Sequence, residues 1–260
     1  MSFYHTPYLF GVVKQSLPIP SSYLVKNLFF DLDDTLWATF ENNKNSLKQL
    51  YQSDGWNRFY PTFEELFSVY MPINERLWAE YRAGVIDKAT LIIDRLRLPL
   101  DRFLHYSDQE YWQLNNRFLT ITGQQTLLIP QAKEVLAHLH RYYNVYILSN
   151  GFKEVQFSKI DNSGLSPFID QVILSDIAKA NKPNKKIFDY ACSSTNSRYK
   201  ESVMIGDSWE ADVVGAVNAG MSVIWFNPNQ KPIPQEASSI GATYQNVGQI
   251  QNLADLLSIF

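Results

Sequence analysis

Two acids two residues apart, Asp31 and Asp33, directly follow the apolar run Leu28-Phe29-Phe30, within Asp31-Leu32-Asp33-Asp34-Thr35-Leu36. At the end of a strand, where the chain leaves the regular pleat, both carboxylates can reach one small volume. Like charges about 4 Å apart repel by about 4 kcal/mol at reduced dielectric, which argues against a buried structural use. A divalent cation relieves that repulsion, and all-oxygen donors favour Mg²⁺. Three further groups stand in similar places. Gly206-Asp207-Ser208-Trp209-Glu210-Ala211-Asp212 follows another apolar run, and Ser149-Asn150-Gly151 offers a hydroxyl and an amide near a helix start suited to an anion. Lys182-Pro183 lies in a loop before a helical pattern. Each group alone is commonplace; their order of acid, hydroxyl, lysine, acid is informative only if one sheet edge carries all four.

The pattern of elements predicts such an edge. Beside Leu28–Phe30, short apolar runs recur at Val145–Leu148, Val172–Leu174, Val203–Ile205 and Val223–Phe226, as buried parallel strands do. Helical spacing separates them. Pro130 suits a first helical position with Val135, Leu136 and Leu139 on one face, and Gly151–Ser163, Asn184–Ser194 and Glu210–Ala219 have helical length, with Gly164 and Gly220 as stops. Alternating strands and helices give an α/β fold, a Rossmann-like parallel sheet with helices on both faces. Residues 37–123 interrupt it with helix-like spacing and no convincing strand, as in Leu47/Leu50, Leu66/Tyr70 and Leu91/Ile92/Leu96. That is too long for a plain crossover. We therefore expect a small all-helical cap domain at 37–123, a core at 26–36 and 124–260, and an extension at 1–25 joined through Pro18 and Pro20.

The 260-residue chain is 45% apolar and 19% charged, with a net charge of -3 and no long run of one sign. Nothing in it forms a nucleic-acid footprint, so no nucleic-acid polymer is expected as partner. No stretch reaches membrane-spanning length, and Phe3–Val13 lacks the basic start and cleavage site of a signal peptide. The expectation is a protein of the cytoplasm with no membrane partner. Cys192 is the only cysteine and is expected as a small buried residue. His5, His105, His138 and His140 have no metal-ligand spacing, the last two being expected on a helix surface.

Taken together, the four groups resemble the motifs of the haloacid dehalogenase-like (HAD) superfamily: a DxDx(T/V) loop, a Ser/Thr, a Lys and a late acidic loop. The resemblance spans residues 26 to about 230, and the insertion after the first motif is similar to that family's helical type 1 cap. It implies Asp31 as nucleophile, forming an aspartyl-phosphate, and Asp33 as general acid and then base. It implies Mg²⁺ held by Asp31, the backbone carbonyl of Asp33 and Asp207, with Asp212 behind them holding Lys182 or a metal-bound water. Ser149, Asn150 and Lys182 would bind phosphate. Lys182 is preferred to Lys179 because the family's lysine commonly precedes Pro. Asp34 is expected to make only a loop contact.

An acid at position 33 favours phosphate esters over haloacids, since a departing halide needs no proton. Lys44, Lys48 and Lys88 are in no setting for a Schiff base. Leu148–Gly151 with Val155, Gln156 and Lys159, and Lys182-Pro183 through Lys186-Ile187-Phe188, resemble the nucleotidase branch acting on pyrimidine nucleoside 5′-monophosphates. The implied activity is Mg²⁺-dependent hydrolysis of a small phosphorylated metabolite such as a nucleoside monophosphate. A phosphomutase and a non-catalytic phosphate-binding protein are the alternatives. Trp78, Tyr81, Tyr111, Trp112 and Phe118 are expected mainly as helix–helix core, with a substrate pocket as their other use. The sequence leaves monomer and homodimer open.

Overall fold

The computed structural model describes residues 24–234 and 247–260; the extension expected at 1–25 lies, but for its last two residues, outside the described residues. Six parallel strands form one sheet in the order β3-β2-β1-β4-β5-β6: β1 (Asn27–Phe30), β2 (Asn144–Ser149), β3 (Gln171–Leu174), β4 (Ser202–Gly206), β5 (Ser222–Phe226) and β6 (Gly248–Ile250). All five expected apolar runs are strands. The period of two along them sorts side chains onto two faces. Leu28, Phe30, Val145, Ile147, Val203 and Ile205 join one core with Val135, Leu136 and Leu139 of α5 (Ala132–Leu139). Phe29, Tyr146, Leu148 and Met204 join the other, beneath α8 (Lys185–Ser194) and α9 (Gly215–Ala219).

Strand β1 pairs with β2 on one side and β4 on the other, with Phe30 opposite both Ile147 and Ile205. The strand order reverses direction here, the switch point at which open α/β sheets bind ligands beyond their carboxyl ends. Gly164 and Gly220 end their helices at φ 72° and 85°, as expected of stops. Pro130 is not a helix start. It precedes Gln131, at φ 66°, and α5 begins at Ala132. The helix expected from Gly151 is shorter, α6 being Lys153–Asn162. After Ser208 the chain makes a π-helical turn, Trp209–Val214, before α9.

Between β1 and α5 stand four α-helices: α1 (Thr39–Ser53), α2 (Phe63–Arg82), α3 (Lys88–Leu100) and α4 (Asp108–Gly123). Three have side-chain N-caps, from Thr62, Asp87 and a Ser107–Glu110 capping box. Their apolar faces make a cluster of their own, including Leu47, Trp56, Phe63, Tyr70, Tyr111 and Phe118. Chain exit and return run side by side. Trp37 and Leu128 form an antiparallel bridge, flanked by Ala38 N–H to Leu127 O (3.1 Å) and Ile129 N–H to Leu36 O (2.9 Å).

Candidate active site

Every loop singled out above leaves the sheet at its carboxyl edge. Asp31 follows β1, Ser149 ends β2, Asp207 follows β4, and Lys182 follows α7 (Ser175–Ala178), the short helix after β3. They meet in a cavity of about 390 Å³, roofed by the four-helix insertion.

Lys182 organises the floor. Its ammonium is buried and donates to Asp31 Oδ1 (2.6 Å), Asp212 Oδ1 (2.6 Å) and the Leu148 carbonyl (2.7 Å). Burial alone would lower its pKa, but Asp212 and Asp31 hold it above the ordinary lysine value. Three donors on three acceptors saturate the ammonium. The loop is fastened by Asn150: its Nδ2 donates to the Lys182 carbonyl (3.0 Å) and its Oδ1 accepts the Lys182 N–H (2.8 Å). Asn150, expected on a phosphate, thus lines the cavity while gripping backbone. Lys179 is exposed, at φ 55°.

Asp31, Asp207 and Asp212 each bring a carboxylate oxygen within 4.8 Å of the others. Burial pushes Asp31 well above the usual carboxylate range, with Lys182 opposing and Asp212 and Asp207 adding to the rise. Burial, then the charges of Asp212 and Asp34, push Asp207 up to about 7. This is the signature of acids crowded for a cation, and with no nitrogen or sulfur in the set the donors fit a hard ion such as Mg²⁺. Both oxygens of Asp212 are engaged, one by Lys182 and one by the Ser208 N–H (3.1 Å). Asp31 and Asp207 are therefore the better donors. Thr35 orients Asp207, its hydroxyl 3.3 Å from Oδ1 and accepting the Asp207 N–H at 3.0 Å. Gly206 is required here, because a Cβ would sit 2.2 Å from Asp212 Oδ2.

Asp33 faces the same cavity but answers to other groups. Lys159 Nζ and Thr39 Oγ1 donate to its Oδ1 (2.6 and 2.8 Å), and Gln156 Nε2 donates to Oδ2 (2.7 Å). Burial raises its pKa, yet the Lys159 charge and these hydrogen bonds outweigh that and hold it below the ordinary value. Gln156 also donates to Ser149 Oγ (2.7 Å), which accepts the Gly151 N–H too (3.0 Å). Ser149 thereby keeps its own proton to offer a ligand. Gly151 is needed because a Cβ would meet Gln156 Nε2 at 2.1 Å. Asp34, at φ 58°, accepts the Phe40 N–H (3.1 Å) near the start of α1, a loop contact as expected.

Gln156 and Lys159 carry a family resemblance in the sequence but no expected place in the site; their signal is two polar residues three apart on one face of α6. Of the aromatic set, Tyr111 and Phe118 are core, Trp112 is exposed, and Trp78 and Phe118 line the cavity. Trp78 stacks on Phe152 at 5.0 Å and Tyr81 meets that ring edge-on. Lys88, at the start of α3, reaches Glu154 (3.0 Å) and Asp176 (2.9 Å) and lies 4.3 Å from the Phe152 ring. Lys44 and Lys48 lie over Phe67 and Phe63 and are not among the residues lining the cavity. Cys192 is buried and burial raises its thiol pKa to about 11, as befits a packing residue.

A family model for haloacid dehalogenase-like hydrolases matches residues 25–220. Pyrimidine 5′-nucleotidase YjjG of Escherichia coli (strain K12) is 29% identical over 235 residues, 88% of this chain and 96% of that protein. Pyrimidine 5′-nucleotidase PynA of Streptococcus pneumoniae (strain ATCC BAA-255 / R6) is 30% identical over 234 residues, 89% and 94% of the two chains. Among solved structures, the putative HAD-hydrolase YfnB from Bacillus subtilis, described as bound to magnesium, superposes with a TM-score of 0.77 at 24% identity. That match covers 90% of this chain and 98% of the other. No described helix is long and apolar enough to cross a membrane.

Proposed function

The chain belongs to the haloacid dehalogenase-like hydrolase family, and from that premise we propose a Mg²⁺-dependent phosphatase that hydrolyses small phosphate monoesters, pyrimidine nucleoside 5′-monophosphates foremost. The observation that carries this reading is the division of labour between two acids in one cavity. Asp31 is tied to Lys182 on the floor, while Asp33 is held by Lys159, Gln156 and Thr39. The helical insertion at 37–123 serves as a cap that closes the cavity over substrate.

Asp31 and Asp207, with the Asp33 backbone carbonyl, would hold Mg²⁺, which when bound supplies charge compensation for a dianionic substrate. The Ser149 hydroxyl binds a phosphoryl oxygen, while Lys182, its three donors taken, places its charge beside the phosphate and holds Asp31 in line with the phosphorus. An Asp31 oxygen attacks phosphorus, and the bond to the leaving oxygen breaks with its electron pair. Asp33 delivers the proton to that oxygen. A water then attacks the aspartyl-phosphate while Asp33 takes its proton, and the bond between phosphorus and Asp31 breaks to restore the carboxylate. Lys159 keeps Asp33 ionised at rest, which suits the second step. The first step needs a proton on Asp33, and an arriving phosphate dianion raises its proton affinity. A carboxyl at this place, oriented by Lys159, Gln156 and Thr39, favours ester hydrolysis over halide displacement, which needs no acid. The relatives named as pyrimidine nucleotidases, aligned over nearly their whole length, support the choice of substrate.

Phosphate release from UMP, dTMP, ribose 5-phosphate and phenyl phosphate, with Mg²⁺ or EDTA, tests the reading. We expect metal-dependent turnover with UMP or dTMP best, and a loss of about 10⁴-fold or more in Asp31→Asn. Full activity in Asp31→Asn would sink the mechanism, and a preference for ribose 5-phosphate would sink the substrate.

A further inference from the structure

Among the described residues, Arg95 of α3 is the only buried cation of the helical insertion, and no carboxylate pairs with it. It lines the cavity. Its Nε (2.8 Å) and Nη2 both donate to one atom, Asn115 Oδ1. Its guanidinium carbon lies 4.9 Å from the centre of the Phe118 ring. Asn115, Phe118 and Thr122 are spaced three and four apart, on one face of α4. Thr122 lines the cavity too, and its buried hydroxyl has no partner among the described residues, nor has Asn115 Nδ2.

A tie between α3 and α4 needs one neutral donor for Asn115. Arg95 brings a full charge and a second amino group, Nη1, beyond that task. A buried cation without a counter-charge is unfavourable, and a buried hydroxyl without a partner adds to the cost. Both are relieved by one event, the arrival of an oxygen acceptor in the cavity. Phe118, against the guanidinium, and Trp78, elsewhere on the cavity wall, provide flat apolar surface for a planar group.

We propose that Arg95, with the Thr122 hydroxyl, recognises an oxygen acceptor on the leaving group of the phosphate ester, either a base carbonyl or a carboxylate. This rests on the phosphatase reading for the word ester, while the binding itself does not depend on turnover. Arg95 is a specificity residue, carried by α3 in the roof while the acids that handle phosphorus stand at the sheet edge. It makes the roof of the cavity select what the floor cleaves.

The test compares wild type with Arg95→Met and Arg95→Lys, with thermal unfolding to verify folding. Binding of uridine (a carbonyl source) and D-glycerate (a carboxylate source) is measured by calorimetry, which needs no catalysis. The kcat/KM values for UMP, 3-phosphoglycerate and phenyl phosphate are then measured. We expect Arg95→Met to weaken whichever of uridine or glycerate binds wild type better by about 10- to 100-fold. The kcat/KM for its phosphate ester should fall in proportion, with phenyl phosphate, which lacks the acceptor, within about threefold. Arg95→Lys, which keeps the charge and loses the planar fork, should fall between. Equal losses on UMP, 3-phosphoglycerate and phenyl phosphate would mark Arg95 as structural and overturn the proposal. So would unchanged binding in both variants, or no wild-type binding of either compound. Arg95-dependent binding in a protein that cleaves none of the esters would uphold the proposal and reject the phosphatase.

Discussion

The floor and the roof of the cavity solve opposite electrostatic problems. At the sheet edge, Asp31, Asp207 and Asp212 crowd together and Lys182 is saturated by three acceptors. In the roof, Arg95 is a cation with no acid, set among aromatic rings and unpartnered polar atoms. The floor arrives pre-wired, so little needs to move when a phosphate binds. The roof is left incomplete, so a ligand finishes it. Preorganisation belongs where charge is redistributed during reaction, and unfilled valence belongs where one substrate must be chosen over another.

The sharpest way to break this contrast is Lys182→Met. It should abolish phosphate release by at least about 10³-fold. It should also destabilise the protein by about 3–5 kcal/mol in urea unfolding, because Asp31 and Asp212 lose their buried counter-charge. A fully stable variant would mean the floor is not wired as described. Lys159→Met should have a milder effect, lowering kcat about 10- to 100-fold by slowing the second step, in which Asp33 must be ionised. With the charge that depresses Asp33 gone, its pKa rises, and the acid limb of the kcat–pH profile should move to higher pH. An unmoved limb would separate Lys159 from Asp33.

Crowding of the floor can be read without turnover. In EDTA, Asp207 binds its proton up to about pH 7 in the folded state, but loses it near pH 4 when unfolded. Between those values the folded state holds the extra proton, so stability falls as pH rises and levels off above about pH 7. Asp31, also raised, acts in the same direction. Melting temperature in EDTA should therefore decline across that window, and Mg²⁺ should restore it most at pH 8. A flat curve would refute crowding. The smallest effect is expected of Lys88→Met, which loosens roof from floor. Its ion pairs are partly exposed and contribute at most about 1 kcal/mol each, so a two- to fivefold rise in KM with little change in kcat is the expected outcome.

The sequence exposed the floor far better than the roof, for physical reasons. Strands such as Leu28–Phe30 are buried on both faces and read as unbroken apolar runs, and the chemistry-bearing residues come directly after them. Parallel pairing then brings Asp31, Ser149, Lys182 and Asp207 to one edge whatever the details of the helices. Strand β6 escaped because Gly248–Ile250 is too short to carry a pattern. In the roof, Arg95 is among the residues of the helical face read as Leu91, Ile92 and Leu96. Its neighbours three and four away are Leu91, Ile92, Leu98 and Pro99, a setting for a buried residue, yet its type suggests a solvated one. Only packing of α3 on α4 shows which holds. Gln156 and Lys159 were hidden similarly, as polar residues turned inward on a short helix.

The bridge between Trp37 and Leu128 has a consequence for how the molecule could be rebuilt. Because the departing and returning segments are hydrogen-bonded neighbours, the two ends of the excursion are about one strand spacing, roughly 5 Å, apart. To the sheet, everything between them is one closed loop whose length is almost immaterial. A tight turn could replace the whole bundle and leave β1 and β2 in register, or a bundle from another protein could be grafted onto the same two stems. The chain is thus laid out as a socket with a fitting, in which the roof can be exchanged while the sheet edge is left in place, provided the new fitting keeps the hydroxyl that Thr39 lends to Asp33.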